Sequence, residues 1–312
     1  MGYNIPMAEQ DKLTIVAGPT ASGKTEFALK LAAASGADLI NADSRQIYRG
    51  MDIGTNKEPL EATGEELELN GFVLKRYLVD HTTTGGWLFN IVNPDQQFSL
   101  AEYQKLASGL LAHLNKTGRK AIIVGGTGLY IDSLIRSYNL DPAVPDKELR
   151  EKISSYTVDE LFDLLWELDP QRAGQLNDSD LFNPRRLVRA IEVASSGGNN
   201  DQTIKERKEY EMYYPDYDRD QLYAKIERRV EKMFESGLVD EVKKLIRTGY
   251  QETKPLHGIG YKEVLLYLDN EISYNDCVDK IKQGHRNYAS RQITWFEGSG
   301  RNYNLHKADY RN

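Results

Sequence analysis

Residues 18–25 read Gly-Pro-Thr-Ala-Ser-Gly-Lys-Thr, and this stretch decides the fold. It has the form G-x-x-x-x-G-K-[ST], in which the backbone N–H groups of a glycine-rich turn hold phosphate. The apolar run 13–17 before it predicts a strand, and the run 26–34 after it predicts a helix whose N-terminus faces the anion. We expect a diphosphate- or triphosphate-binding site formed by the loop, with Lys24 at the terminal phosphate and the Thr25 hydroxyl on Mg²⁺. The binding residues predicted are Gly18, Pro19, Thr20, Ala21, Ser22, Gly23, Lys24 and Thr25.

The composition bounds the class of protein. The chain has 312 residues, of which 40% are hydrophobic and 28% charged, enough for a large core and two domains. No apolar run approaches the roughly 20 residues of a membrane span, and the first residues resemble neither a secretory signal nor a myristoylation motif. We therefore expect a cytoplasmic protein. The single cysteine, Cys277, excludes an internal disulfide and a cysteine-based zinc site.

The net charge of −7 argues mildly against a nucleic-acid partner. The basic residues are nevertheless clustered, notably at 185–189, 205–208, 225–232 and 280–291. A phosphate backbone responds to local charge, so an acidic protein can still present a basic groove to RNA. The alternative interpretation of each cluster is an ordinary solvated helix face.

Two further strands end in polar or glycine-rich turns. The run 37–42 leads into Asp43, and the apolar run 121–124 leads into Gly125-Gly126-Thr127-Gly128. Side chains at the carboxyl ends of parallel strands face the ligand crevice, which favours a functional Asp43, although a cap or turn role is an equal alternative. Thr127 is placed to donate to a ligand, or simply to complete a tight turn. The acidic residue that an ATPase carries at such a strand end is missing.

These runs predict an α/β fold: a parallel sheet flanked by helices. Residues 57–70 are interpreted as surface helix or loop, 72–80 as a strand, and 87–92 as an edge strand. Ser99 and Glu102 predict a capping box that opens a helix. We assign 1–128 and 221–298 to the catalytic core, 129–220 to a helical insertion domain, and 299–312 to a frayed polar tail.

Seven stretches together resemble one family. In chain order they are GPTASGKT (18–25), NADSRQIYRGMDIGT (41–55), IIVGGTGLYI (122–131), NPRRLVRAIEV (183–193), LYAKIERRVEKMFESGLVDEV (222–242), GIGYKE (258–263) and RNYASRQITWF (286–296). They resemble the tRNA dimethylallyltransferases, or tRNA isopentenyltransferases, of bacterial type. The resemblance covers about residues 13 to 297, and the combination is far more specific than the P-loop alone.

The resemblance implies a P-loop NTPase-like fold and a transfer reaction. A dimethylallyl group would move from dimethylallyl diphosphate to N6 of the adenosine that follows the anticodon in tRNA. By motif match, Asp43 would accept the amine proton, Thr127 would contact the diphosphate, and Arg229 would stabilise the leaving charge together with Mg²⁺. Lys225 and Arg219 are weaker candidates for that arginine's role.

The same resemblance implies an RNA-binding surface and a monomeric enzyme acting on the anticodon stem-loop. The residues that it assigns to tRNA contact are Asp43, Ser44, Arg45, Gln46, Arg150, Arg185, Arg186, Arg189, His257, Lys262, Arg286, Arg291 and Gln292. In the last motif His285 and Ser290 stand where the family has Thr and Lys, which predicts a weakened phosphate contact.

Three other functions stay open on the sequence alone. An adenylate isopentenyltransferase acting on free AMP, ADP or ATP would share the P-loop and Asp43 but would not need the basic insertion. A small-molecule kinase would use the P-loop on ATP. A non-enzymatic RNA-binding module would need neither donor nor base.

Overall fold

The computed structural model describes residues 12–137, 146–176, 178–196, 205–206, 209–298 and 300–310. Strands and helices alternate along most of them. The strands are β1 (Leu13–Ala17), β2 (Ala37–Asn41), β3 (Leu60–Leu69), β4 (Phe72–Val79), β5 (Gly85–Trp87), β6 (Lys120–Gly125), β7 (Arg136–Ser137), β8 (Lys205–Glu206), β9 (Tyr210–Pro215) and β10 (Leu305–Ala308). The helices are α1 (Lys24–Ser35), α2 (Leu100–Lys116), α3 (Gly128–Ile135), α4 (Lys147–Lys152), α5 (Val158–Leu168), α6 (Pro170–Gly174), α7 (Asp178–Leu181), α8 (Pro184–Ser195), α9 (Arg219–Glu235), α10 (Leu238–Arg247), α11 (Tyr261–Leu268) and α12 (Tyr274–Glu297), with a 3₁₀ helix at Lys254–His257.

Eight strands form one mixed sheet in the order β10-β9-β1-β6-β2-β5-β4-β3. The six strands from β10 to β5 are mutually parallel, and β4 and β3 continue the sheet as an antiparallel hairpin. The carboxyl ends of β1, β2 and β6 therefore meet at one edge of the sheet, which is where the predicted site residues follow. The α/β fold predicted from the sequence is confirmed in this architecture.

The central strands are apolar along their whole length because both faces of the sheet are covered. On one face Val16 packs with Phe27 and Leu31 of α1. On the other face Ile15 packs into a larger cluster formed with α2, α3 and the end of α12, which includes Phe296. This two-sided burial holds the strand ends rigidly beneath the site.

The helices α9 to α12 pack around a third apolar cluster that includes Val230, Val242, Tyr261 and Ile281. Met51, from the loop after β2, belongs to the same cluster. The later third of the chain is thereby attached to the loop that follows the second strand.

The prediction for residues 57–70 was wrong, because most of this stretch is the long strand β3. Asn70 and Gly71 both take positive φ, 49° and 78°, and connect β3 to β4 as a tight hairpin. Leu67 and Leu69 pack on the core, while Glu68 between them is exposed. The predicted edge strand at 87–92 is also corrected: β5 ends at Trp87 and lies inside the sheet between β2 and β4.

The tail does not fray over its whole length. Residues Leu305–Ala308 add a parallel strand beside β9, and Tyr310 stacks on Phe27 with ring centroids 4.4 Å apart. The Tyr310 hydroxyl also donates to the Ala17 carbonyl at 3.1 Å. Strand pairing of residues 305–308 and the contacts of Tyr310 therefore attach this polar segment to the sheet.

The described chain forms two compact units whose boundaries differ from those predicted. The first unit runs to Arg136 and resumes at Glu206, and the second comprises Ser137 to Lys205. The insertion is thus shorter than 129–220, because α3 packs on the sheet and β9 is one of its strands. The second unit is helical, with α5 and α8 packed around Leu161, Leu165 and Leu187.

Candidate active site

Residues 18–25, which we call the P-loop after their sequence motif, join β1 to α1. Gly23 precedes the helix with a left-handed φ of 87°, and no side chain caps this helix. Phe27 N donates to Gly23 O at 3.1 Å, whereas the backbone N–H groups of Gly23, Lys24 and Thr25 have no acceptor among the described residues. Free N–H groups at a helix start, supplemented by the helix dipole, are suited to hold phosphate oxygens.

A cavity of about 200 Å³ opens above the P-loop. Its lining brings together residues from four distant segments: Lys24 and Thr25 of the P-loop, Asp43 after β2, Arg229 of α9 and Tyr288 of α12. The cavity therefore lies at the carboxyl ends of the parallel strands, where α/β sheets bind their ligands.

Two cations face the cavity without a carboxylate ion pair among the described residues. Burial, reinforced by the neighbouring Arg229, lowers the pKa of Lys24 to about 8. Burial also lowers the pKa of Arg229, whose Nη1 donates to Thr20 Oγ1 at 3.0 Å. Desolvated cations of this kind are stabilised by an incoming anion, so the pair is suited to hold one in the cavity.

Of three further charged residues, only one lines this cavity. Glu58 lines the cavity and was missed from the sequence; burial, together with Asp80, raises the pKa of its carboxyl above the ordinary value. Lys225, the weaker alternative to Arg229, instead lines a separate cavity of about 350 Å³. Arg219 lines neither cavity.

Asp43 takes the turn role that was considered for it, and it also lines the cavity. Its Oδ1 accepts from Arg45 N at 2.8 Å, which is the turn interpretation, and its own N–H donates to Asn41 Oδ1 at 3.1 Å. Within the described chain no group donates to Oδ2, and the residue lines the cavity. The turn fixes one carboxylate oxygen and leaves the other available for a substrate proton.

Thr127 acts on the site from behind Asp43. Its Oγ1 accepts from Ser44 N at 3.0 Å, and its N–H donates to the Ala42 carbonyl at 3.1 Å. Its Oγ1 also donates to Ser44 Oγ at 3.3 Å. Thr127 does not itself line the cavity, so its predicted contact with the diphosphate stays a prediction.

Helix α12 reaches the P-loop through Gln292. Its Oε1 accepts from Thr20 N at 2.7 Å, and its Nε2 donates to Gly126 O at 2.8 Å. A Cβ added at Gly126 would lie 2.2 Å from that Nε2, so the glycine makes room for the amide. Gln292 thereby links the P-loop to the end of β6, and its predicted contact with tRNA stays a prediction.

His285, one of the departures in the last motif, is an interior residue. It is 9% exposed, and neither ring nitrogen has a hydrogen-bond partner among the described residues. Burial, with Arg229 nearby, lowers the pKa of its imidazole to about 4. The replacement therefore changes the packing behind Arg229 rather than an exposed RNA contact.

The other predicted RNA contacts of the first unit lie on exposed or half-exposed positions. Arg45 is exposed and approaches the loop that follows His257, since a Cβ on Gly258 would lie 3.2 Å from the Arg45 guanidinium carbon. Arg286 pairs with Glu227 at 2.7 Å, and Arg291 lies 5.7 Å from the ring centroid of Tyr288. Lys262 lies 3.5 Å from Glu263.

In the second unit, one buried carboxylate holds two of the predicted RNA-binding arginines. Glu192 accepts from Arg150 Nε at 2.6 Å and from Arg189 Nη1 at 3.2 Å. Arg186 pairs with Asp180. Arg185 is exposed, and no acidic partner for its side chain occurs in the residues that the structure describes. The four arginines thus lie in one unit but differ in their freedom to meet an external phosphate.

Comparison with known proteins identifies the family. A model of the IPP transferase family matches residues 46–299. The chain belongs to the IPP transferase family. Its relatives include a tRNA dimethylallyltransferase of Clostridioides difficile, 39% identical over 297 residues, spanning 91% of this chain and 88% of the relative. A tRNA dimethylallyltransferase of Halalkalibacterium halodurans is 36% identical over 92% of this chain and 88% of its own length.

Solved structures agree with this membership of the IPP transferase family. The chain resembles the tRNA isopentenylpyrophosphate transferase of Bacillus halodurans with a TM-score of 0.66 and 34% identity, over 96% of this chain and 90% of that one. A eukaryotic dimethylallyltransferase solved while acting on tRNA gives a TM-score of 0.72 at 23% identity, over 91% of this chain and 69% of the other, and shows a shared fold.

Proposed function

We propose that this protein transfers a dimethylallyl group from dimethylallyl diphosphate to N6 of the adenosine 3′-adjacent to the anticodon in tRNA, releasing diphosphate. The observation that carries the proposal is one cavity that combines the anion-binding P-loop and Arg229 with the available carboxylate oxygen of Asp43. The names of the relatives support the same reaction. Beside the P-loop strand, β6 ends at Gly125 rather than at an acidic residue that would order water for hydrolysis.

The reaction follows from how charge moves. The bond between C1 of the donor and the diphosphate oxygen breaks as the bond from C1 to adenine N6 forms. The developing charge on the diphosphate is stabilised by Lys24, Arg229 and the free N–H groups at the start of α1. N6 becomes cationic and loses a proton to Asp43 Oδ2.

The site suits Mg²⁺, although it contains no cluster of acidic ligands. In the part of the chain that the structure describes, no group of three His, Cys, Asp or Glu residues is arranged around a metal site. Mg²⁺ typically keeps several waters and binds substrate phosphates with one or two protein oxygens. The Thr25 hydroxyl, which lines the cavity beside Lys24, would supply that oxygen, and the ion would neutralise diphosphate charge.

We further propose a P-loop NTPase-like core that acts on tRNA in the cytoplasm as a monomer. No helix of the described chain is both long and apolar enough to cross a bilayer. The acceptor base would leave the anticodon loop and enter the cavity above Asp43, because enzymes that modify a base extrude it from its stack. The basic residues at the cavity rim and in the second unit would hold the RNA backbone.

The decisive experiment offers the purified protein three acceptors with labelled dimethylallyl diphosphate. They are an unmodified tRNA with adenosine after the anticodon, the same tRNA with guanosine there, and AMP. We expect label in the first tRNA alone, located by mass spectrometry of its nucleosides. Label in AMP but not in tRNA would support an adenylate isopentenyltransferase, and transfer of the γ-phosphate of ATP to an acceptor would support a kinase.

A further inference from the structure

A loop after β2 forms part of the cavity wall, and a carboxylate from α10 holds it. Residues Thr55 and Asn56 line the cavity. Just before them, the N–H groups of Asp52, Ile53 and Gly54 all donate to the carboxylate of Glu241, at 3.0, 2.7 and 3.1 Å. Three converging backbone donors on one carboxylate help to fix the loop's path, because these charge-assisted bonds add to the loop's own turn bonds, from Asn56 N to Ile53 O and from Lys57 N to Asp52 O.

The Glu241 carboxylate is itself held in place by Tyr261 of α11. The Tyr261 hydroxyl donates to Glu241 Oε1 at 2.7 Å, and Tyr261 is 1% exposed. Its ring lies against Gly54 so closely that an added Cβ there would meet the ring carbon Cζ at 2.5 Å. Three backbone hydrogen bonds to Glu241 and the close contact between Gly54 and Tyr261 therefore hold residues 52–54, and the Tyr261 hydroxyl in turn fixes the Glu241 carboxylate.

The held loop determines how Gln46 presents its amide. Gln46 lines the cavity with Asp43. Its Nε2 donates to the carbonyl oxygens of Thr55 at 3.3 Å and of Asn56 at 3.1 Å. Two carbonyl acceptors assign the nitrogen end of the amide to the loop. No group in the described chain donates to Oε1, which is the end that stays available.

We propose that Gln46 Oε1 selects an acceptor base that carries an exocyclic amino group, and that Glu241 is the positioning residue that holds the amide in this orientation. The inference rests on the proposed function. An amino group has two hydrogens, one for Asp43 and one for Gln46 Oε1. A keto oxygen at the same position of the base would face a carboxylate and a carbonyl with no proton between them, and sites built for a donor reject such analogues strongly.

The first test measures binding rather than chemistry. Anticodon stem-loop RNAs carrying adenosine, inosine or purine riboside at the acceptor position are titrated onto the protein saturated with inorganic diphosphate and Mg²⁺. We expect wild-type protein to bind the adenosine RNA at least tenfold more tightly than the inosine RNA. Gln46→Met, which keeps the length but loses the acceptor, should reduce that ratio about tenfold. An unchanged ratio would overturn the role of Gln46.

The second test addresses Glu241 with a matched control. Glu241→Gln loses a carboxylate oxygen that accepts loop N–H groups, whereas Asp240→Asn removes one negative charge from the adjacent, exposed position of the same helix. We expect two changes in Glu241→Gln that do not occur in Asp240→Asn. The peptide spanning 47–58 should exchange its amide hydrogens faster, and the ratio of the affinities for adenosine RNA and inosine RNA should fall. Faster exchange with an unchanged affinity ratio would mean that Glu241 stabilises the loop without orienting Gln46, which would overturn its positioning role.

If Glu241→Gln does not fold, Tyr261→Phe serves as the alternative variant. It removes one donor from the carboxylate and should shift both readouts in the same direction by a smaller amount. If wild-type protein binds adenosine RNA selectively yet transfers no dimethylallyl group to it, the proposed function fails and the amino-group selection stands. If it transfers the group without selective binding, the selection fails alone.

Discussion

The cavity and the second unit both carry basic side chains, but the two sets differ in burial and in ion pairing. Lys24 and Arg229 are desolvated, have lowered pKa values, and face a cavity. Arg150 and Arg189 lie on the surface of a separate helical unit and are paired with the buried carboxylate of Glu192. The pKa of Arg150 is raised by the same carboxylate.

The difference indicates what each region is built to do. A desolvated cation that no described carboxylate neutralises destabilises the free protein. Binding of an anion offsets that cost, so such a cation supports chemistry at one defined place. A surface arginine paired to its own protein contributes little until a phosphate displaces that partner, so it supports graded, salt-sensitive affinity. Changes in the cavity should therefore abolish turnover, and changes in the second unit should shift tRNA affinity.

The largest expected effect comes from removing Asp43, the proposed base in the cavity. Asp43→Asn should lower kcat about 10³-fold, because general base catalysis is lost while the turn made by Oδ1 can persist. Single-turnover labelling measures the rate, and filter binding should show tRNA affinity within about threefold of wild type. Asp95→Asn, at an exposed position, serves as the control. A kcat within tenfold of wild type would reassign the base.

The next effect concerns the lysine of the P-loop. Lys24→Met should lower kcat/KM for the donor by about 10²- to 10³-fold, since one charged contact to the leaving diphosphate disappears. Lys30→Met on the same helix is the matched control, because Lys30 is exposed and pairs only loosely with Glu26 at 3.5 Å. Equal effects of the two substitutions would remove Lys24 from the catalytic machinery.

The lowered pKa of Lys24 gives the site a pH dependence of known sign. In the free protein the ammonium is lost above about pH 8, and a bound diphosphate restores it, so donor affinity should fall above that pH by at most about tenfold per unit. The stability of the free protein should change in the opposite sense. In the unfolded protein this lysine keeps its proton up to about pH 10.5. Between about pH 8 and 10.5 the unfolded state therefore binds more protons than the folded state, and the free energy of unfolding rises with pH.

Calorimetric titration of the donor at pH 7 and pH 9, in two buffers of different ionisation enthalpy, measures the proton uptake. Lys24→Met should show no such uptake at pH 9. If the variant and the wild-type protein take up protons equally, the titrating group lies elsewhere.

The sequence predicted those parts of the site that depend on local chemistry. The positions of residues 18–25 and of Asp43 beside one cavity were predictable because a glycine-rich turn and a strand end constrain the backbone around them, whereas their roles stay predictions. The hairpin of β3 and β4 was also signalled, by Asn70-Gly71 between runs of alternating polarity, and that signal was missed. The sequence signal for strand β10 is weaker, because this strand forms by pairing with β9, which is distant in sequence.

The remaining parts of the site depend on contacts between segments that are distant in sequence. Gln292 bonds Thr20, 272 positions away, and Glu241 bonds a loop 187 to 189 positions away. Neither partner is visible in a single sequence, because helix periodicity says which face is buried but not against what. The same holds for Glu192, whose pairing with Arg150 separates arginines that the sequence alone treats as equivalent.

The smallest expected effect distinguishes those arginines from one another. Arg185→Gln should weaken tRNA binding several-fold and reduce the slope of log affinity against log salt by about one, because its exposed side chain pairs with no carboxylate of the described residues. Arg189→Gln should weaken binding less, since Arg189 must first give up Glu192 at 3.2 Å. Filter binding between 50 and 200 mM salt, with kcat measured at saturating tRNA, separates affinity from chemistry. Equal slopes for both variants would mean that the pairing seen in the free protein does not persist on RNA, and a lowered kcat would show that the second unit contributes to chemistry after all.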